Sequence, residues 1–245
     1  MAEEPRRSTP KRIVLKMSGE ALASAASDET IDFQTVHRLA AEIVEVRQQL
    51  GVEIAIVVGG GNIWRGMTGA TDGMDRATSD TMGMLGTVIN SLALQDALEQ
   101  LDQPTRVLSA IPMPAVAEPY IRRRAIRHLE KGRVVVFAAG MGAPFFTTDT
   151  PAVLRAAEIE AEMVLKGTHG GVDGVYSADP RSNPDATRFE EISFMEVISQ
   201  DLRVMDLTAI TFCQDNGMPI LVFDIMTPGN LLRALRGEKI GTLVS

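Results

Sequence analysis

The stretch IAIVVGGGNIWRG, residues 54–66, decides the fold. Its first half is continuously apolar and rich in β-branched residues, as a strand buried on both faces must be. It empties into Gly59, Gly60 and Gly61 and then offers Asn62 and Arg65. Glycines let backbone N–H groups approach an anion, and a cation beyond them neutralises its charge. Just upstream, IDFQTVHRLAAEIVEVRQQLG (31–51) sets Val36, Leu39, Ala40, Ile43, Val46 and Leu50 at helical spacing, with Gly51 as the stop. RIVLKMSG (12–19) precedes it as another apolar strand. Strand, helix, strand is the unit of a parallel sheet.

The alternation continues. DTMGMLGTVINSLALQDALEQL (80–101) reads as a helix, TRVLSAI (105–111) as a strand, RRAIRHLEKG (123–132) as a helix and RVVVFAAG (133–140) as a strand. TPAVLRAAEIEA (150–161) has a threonine cap and a proline at the first helical position, and it feeds the strand EMVLKGT (162–168). The helix MDLTAITFCQDNG (205–217), the strand PILVFDI (219–225), the helix TPGNLLRALRGE (227–238) and the apolar GTLVS (241–245) complete the chain. Between Gly167 and Asp201 the rhythm breaks into Gly, Asp, Pro and Asn, which predicts loops and short hairpins. No repeat and no low-complexity tract interrupts this order. The expected fold is a three-layer α/β sandwich: a largely parallel central sheet covered by helices, a single domain over residues 11–245 behind a flexible tail at 1–10.

Composition narrows the function. The net charge of −8 disfavours a nucleic-acid surface, and Arg122, Arg123 and Arg124 read as a solvated helix face. The opening MAEEPRRSTPKR lacks the apolar core of a signal peptide, and no apolar run is long enough to span a membrane. The lone Cys213 forms no intrachain disulfide and reads as a buried structural thiol, so a cytoplasmic location is expected. His37 and His128 fall in helical segments as surface or boundary residues. Only His169 lies in a candidate loop, and no zinc-ligand spacing occurs.

Ligands of such sheets bind beyond the carboxyl ends of the strands. Four post-strand segments meet there: KMSGE (16–20), GGGNIWRG (59–66), AGMGAPFFTTD (139–149) and KGTHGG (166–171). They bring Lys16, Arg65 and Lys166 to one edge with three glycine-rich loops, a pattern suited to polyphosphate. Neither the G-x-x-x-x-G-K-[ST] phosphate loop nor G-x-G-x-x-G occurs, which disfavours P-loop kinases and dinucleotide oxidoreductases. Phosphoryl transfer to an acceptor that is already anionic needs no strong base, so positioning and charge neutralisation suffice.

The motifs also carry a family resemblance. KRIVLKMSGEAL (11–22), VVGGGNIWRG (57–66), SDTMGMLGTVINSLALQDALE (79–99), GAPFFTTDTPAVLRAAEIEAEMVLKGT (142–168), VDGVYSADPRSNPDAT (172–187), LRVMDLTA (202–209) and GEKIGTLV (237–244) together resemble the bacterial uridylate (UMP) kinases of the amino acid kinase family. That resemblance implies transfer of the γ-phosphoryl of ATP to UMP, a Mg2+ requirement and a homohexamer. It also implies activation by GTP and inhibition by UTP. The UMP lobe is expected at roughly 11–165 and the ATP lobe at roughly 166–245.

By position, the resemblance assigns Lys16, Met17, Ser18 and Gly19 to the ATP phosphates, with Gly61, Arg65, Thr168, Tyr176 and Asp179 also on the ATP side. Gly60, Asp80 and the loop Met141, Gly142, Ala143, Pro144, Phe145, Phe146, Thr147 and Thr148 fall on UMP, with Asp80 receiving the ribose. Lys16, Lys166 and Arg65 are the expected catalytic cations, and Asp149 and Asp206 the carboxylates that orient them or a metal. Taken alone, Asp80 also suits a helix N-cap, Tyr176 a core aromatic and Lys166 a side chain reaching out to solvent.

Two departures from the family pattern bear on function. The segment GTHGG (167–171) is longer than expected on the ATP side. In the effector region Asp96, Arg106 and Arg133 are present, but Gln95 and Glu99 stand where basic residues are expected, which predicts weak or altered GTP activation. The methionine-rich helix from Met82 to Leu101 suits either a subunit interface or the core. Two other readings compete: a kinase of the same family acting on a carboxylate or carbamate, and a non-catalytic nucleotide or oxyanion-storage protein.

Overall fold

The computed structural model describes residues 9–24, 29–71 and 73–245, so most of the expected tail, residues 1–8, lies outside the described residues. The apolar runs become strands β1 (Arg12–Met17), β2 (Glu53–Val58), β3 (Thr105–Ser109), β5 (Val134–Ala138), β6 (Met163–Thr168) and β8 (Ile220–Asp224). Short strands β4 (Glu118–Pro119), β7 (Glu191–Ile192) and β9 (Thr242–Val244) extend them. The sheet order is β4-β3-β5-β2-β1-β6-β8-β9-β7, and among the described strands only the β8–β9 pairing is antiparallel. A largely parallel sheet was the expectation, and the sheet has that form.

The helices are α1 (Phe33–Leu50), α2 (Gly66–Thr71), α3 (Arg76–Gln100), α4 (Arg122–Glu130), α5 (Asp149–Glu158), α6 (Phe194–Ser199), α7 (Leu207–Asn216) and α8 (Asn230–Leu235). In α1, Asp32 caps the start by accepting from the Gln34 N–H, and Gly51 ends the helix in the left-handed region at φ 67°. Strand alternation sorts the core onto two faces. Ile13, Leu15, Ile54 and Ile56 pack with α1, α3 and α8, whereas Val14, Ala55, Val57 and Val164 face α4, α5 and α7. Each fully buried Ile or Leu contributes about 1.5–3 kcal/mol.

Several boundaries differ from expectation for identifiable reasons. Helix α3 starts four residues before Asp80, because Asp75 is the cap and accepts from the Thr78 N–H at 2.9 Å. The N-cap alternative for Asp80 therefore falls. In α5 the cap is Thr148 rather than Thr150, and Asp149 takes the first helical position. Gly229 at φ 80° delays α8 to Asn230. The irregular region 167–201 contains, besides loops and the bridge between Tyr176 and Arg188, the unexpected helix α6. Its signal was a capping box: Ser193 accepts from the Glu196 N–H, and Glu196 accepts from the Ser193 N–H.

Cys213 is buried, as expected, and burial pushes its thiol up to about 12. His37 is exposed, but His128 is buried between Glu118 (3.2 Å) and Arg133 (2.8 Å) and is not a boundary residue. Arg122, Arg123 and Arg124 form an exposed face. Among the described residues no helix is long and apolar enough to cross a membrane.

Candidate active site

Strands β1 and β6 lie side by side at the centre of the sheet, with Lys16 directly opposite Lys166. Both follow residues of the α5-facing side, Val14 and Val164, so alternation turns both ammonium groups toward α5. Asp149, the first residue of α5, meets them. Its Oδ1 lies 2.6 Å from Lys16 Nζ and its Oδ2 lies 3.8 Å from Lys166 Nζ. The carboxylate also sits at the positive end of the helix dipole.

The cluster is largely buried, which sharpens its electrostatics. Burial raises the Asp149 carboxyl, but the Lys16 and Lys166 ammonium groups outweigh it and hold the group below its ordinary value. Lys166 keeps 17% of its side chain exposed and donates to the Val204 carbonyl. It does not reach out to solvent. Burial pushes Lys166 down to about 8, with Asp149 opposing that shift and Lys16 reinforcing it. Asp206 joins through its backbone: its N–H donates to Asp149 Oδ2 at 3.2 Å, while its carboxylate accepts from the Thr147 hydroxyl. A cavity of about 360 Å³ borders the cluster at Lys166, Asp149 and Asp206, and its other walls come from α6, α7 and above all the connection between them, residues 201–205.

Two loops complete the edge. After β2, the loop packs directly on α3: a Cβ on Gly60 would stand 2.5 Å from the Gly83 carbonyl, so only glycine fits. Asn90 of α3 donates to the Gly59 carbonyl at 2.7 Å and fastens the loop further. Arg65 is 63% exposed and paired with Glu20, whose other oxygen accepts from Ser18. Of the three expected cations, two are therefore locked on Asp149 and the third sits on the rim. After β5, Ala139, Gly140, Gly142 and Phe145 all have positive φ, at 61°, 55°, 70° and 71°. For the two non-glycine residues this costs about 1–3 kcal/mol each. Helix α3 holds both of them. The Ala139 N–H donates to Thr87 Oγ1 and the Phe145 N–H to Asp80 Oδ2, each at 2.8 Å. Phe145 and Phe146 are exposed at the loop tip.

On the other side, the Thr168 hydroxyl lies against the carbonyls of Val172 and Phe223 (2.8 Å), which ties down the start of the long 167–171 loop. Tyr176 is half-buried, not a core residue, and donates to Asp173 at 2.6 Å. Asp179 is exposed and accepts from the Arg181 N–H in a turn. The contacts of these two stay within their own segment, apart from the lysine cluster. Burial pushes the His169 imidazole below its ordinary value, with Glu20 opposing that shift and Arg181, Lys16 and Arg65 reinforcing it. No sequence signal beyond its place in a loop marked it. The effector candidates divide: Arg106 pairs with Glu99 (3.2 Å) and Glu118 (3.7 Å), Arg133 meets His128, and Asp96 is exposed and accepts from Gln100.

Comparison with known proteins places this geometry. The model of the amino acid kinase family matches residues 11–224. The chain is similar to the UMP kinase of Bacillus anthracis, at 40% identity over 96% of both chains and a TM-score of 0.92. It is similar to the UMP kinase of Ureaplasma parvum at 42% identity, covering 96% of this chain and 98% of that one, with a TM-score of 0.90. The uridylate kinase of Archaeoglobus fulgidus is more distant, at 27% identity over 95% and 99% of the two chains and a TM-score of 0.71.

Proposed function

The chain belongs to the amino acid kinase family, and from that premise we infer that it transfers the γ-phosphoryl group of ATP to UMP, giving UDP and ADP. The observation that carries this reading is the Lys16–Asp149–Lys166 cluster at the carboxyl edge of adjacent central strands. A UMP phosphate is already ionised at neutral pH and attacks without a general base. What the transferring group needs is fixed positive charge in a site of low dielectric, and two buried ammonium groups supply it. Asp149 keeps both lysines aimed while no nucleotide is bound, and it favours the charged form of Lys166. Lys16 and Lys166, with Arg65 at the rim, are the proposed catalytic cations. Met17 to Gly19, Gly61, Thr168, Tyr176 and Asp179 form the proposed ATP side. Gly60, Asp80 and residues 141–148 form the UMP side; the proposed UMP lobe spans roughly 11–165 and the proposed ATP lobe roughly 166–245, with the ends of β1 and β2 reaching across to the ATP phosphates.

Among the described residues no three His, Cys, Asp or Glu side chains gather into a metal-ligating cluster. Asp149 faces lysines, and Asp206 offers a hard oxygen donor of the kind magnesium takes. Mg2+ fits as an ion held mainly by the ATP phosphates, with Asp206 as its protein neighbour, and it supplies further charge neutralisation when bound. The protein is proposed to work in the cytoplasm as a homohexamer. Leu85 and Ile89, exposed one turn apart on α3, provide the apolar contact stripe, and light scattering measures the assembly. GTP is the proposed activator and UTP the inhibitor, with the GTP effect weak because Glu99 and Glu118 already occupy Arg106.

ADP release measured with UMP, CMP and dTMP as acceptors, with and without GTP and UTP, tests the reading. Activity is expected with UMP well above the other two, with GTP changing it little. Release no faster with UMP than without acceptor overturns the assignment, and a several-fold GTP activation overturns the effector reading. A pH profile adds a second check. Lys166 is charged below about 8 and loses its proton above it, so kcat/KM is expected to fall as pH rises through that value. Lys166→Arg removes the limb, because a guanidinium stays charged. A limb unchanged in Lys166→Arg assigns it to another group.

A further inference from the structure

Arg76 is the first residue of α3, and its position is not explained by the helix. A cation in the first turn meets the positive end of the helix dipole, and an Arg preceding its acidic partner by four residues is the weaker orientation of such a pair. Yet its Nε is shared between both oxygens of Asp80, at 2.9 Å to Oδ1 and 2.8 Å to Oδ2. The same guanidinium reaches two other elements. Nη1 lies 3.1 Å from the Met67 sulfur of α2, and Cζ stands 5.8 Å from the centre of the Phe145 ring. Asp80 Oδ2 in turn accepts from the Phe145 N–H. Oδ1 sits over Gly66, where a Cβ would come within 2.1 Å of it.

A carboxylate has about four acceptor directions. Arg76 takes one on each oxygen and Phe145 takes the second on Oδ2, which leaves one open on Oδ1. We propose that Arg76 is a positioning residue for sugar recognition: it fixes the plane of the Asp80 carboxylate so that the free direction of Oδ1 meets the 2′-hydroxyl of the acceptor nucleotide's ribose. Through its contact with Phe145, it sets that carboxylate at a fixed distance from the acceptor loop. This rests on the reading of Asp80 as the ribose carboxylate. It assigns to Arg76 the discrimination between a ribonucleotide and its 2′-deoxy counterpart.

Arg76→Ala and Arg76→Gln are compared with Asp80→Asn, using UMP and 2′-deoxy-UMP as acceptors. Arg76 is a third exposed in a first turn, so both variants are expected to keep their far-UV circular dichroism, with a melting temperature lowered by a few degrees because the largely buried Asp80 loses its cation. The KM for UMP rises about tenfold, as for loss of a charge-assisted contact, while kcat and the KM for ATP stay within about twofold. The preference for UMP over 2′-deoxy-UMP in kcat/KM collapses toward unity, and Arg76→Lys restores part of it. If Asp80→Asn abolishes the preference and the Arg76 variants keep it, the role of Arg76 is overturned while the ribose reading stands. If Asp80→Asn keeps the preference, the ribose reading falls and the proposal with it. An equal rise in the KM for ATP and UMP marks a merely structural role and also overturns it.

Discussion

Replacing Lys16 by alanine is expected to lower turnover by about 10³-fold or more while the protein stays folded. Lys16 Nζ is one of two ammonium groups held at the end of the central strands, and it is the closer of the two to Asp149. Without it, the phosphoryl group in transit loses half of its buried positive charge. The remaining lysine cannot take over, because Val204 and Asp149 fix it on the β6 side. The loss belongs in kcat, since the interaction strengthens as charge spreads during transfer. Steady-state kinetics with saturating ATP and UMP, alongside circular dichroism, measure it. A variant that retains more than a tenth of the wild-type turnover removes Lys16 from the mechanism.

Asp149→Ala damages both stability and activity, and the two effects separate it from Lys16. Asp149 is buried, and its removal leaves two ammonium groups facing each other with no counter-charge between them. Breaking a buried pair from one side costs about 3–5 kcal/mol. For a chain of this size each kcal/mol is worth about 2–4 °C in Tm, so a fall of about 10 °C is expected in a thermal melt. Loss of the carboxylate also removes what keeps Lys166 charged, so its proton leaves at lower pH and the alkaline limb of kcat/KM moves down. An Asp149→Ala protein with wild-type Tm shows that the lysines do not depend on the pair.

The long strands of the sheet were legible in the sequence because fully buried parallel strands announce themselves as short apolar runs between amphipathic helices, whereas the two-residue strands β4 and β7 are too short to show a pattern. The glycine-rich ends of β2, β5 and β6 and the lysines of β1 and β6 were legible for the same reason: each directly follows or closes such a run. The Lys16–Lys166 adjacency was not legible from spacing alone. It arises from a strand order that sets β6 beside β1 across about 150 intervening residues, and no local pattern encodes that neighbour. The role of Asp75 as cap was hidden because Asp80 offered the same chemistry closer to the apolar run. Helix α6 was missed because its six residues are too few to show a period, although the Ser193–Glu196 capping box was there to read. The grip of Asp80 on Phe145, 65 residues away, is likewise a tertiary contact with no local sequence signal.

With the catalytic roles proposed for Lys16 and Lys166, their pairing also makes activity a gauge of assembly. Side chains alternate across a strand, so a slip of one residue between β1 and β6 would carry one lysine to the opposite face of the sheet. A misregistered chain could still be compact and rich in secondary structure, yet it would be inert. Nor can either half of the sequence work alone, since the first strand and the sixth each bring one charge. During refolding, the return of catalysis therefore times the closing of this long-range seam, a slow step for contacts so far apart in sequence, rather than the earlier collapse that circular dichroism records.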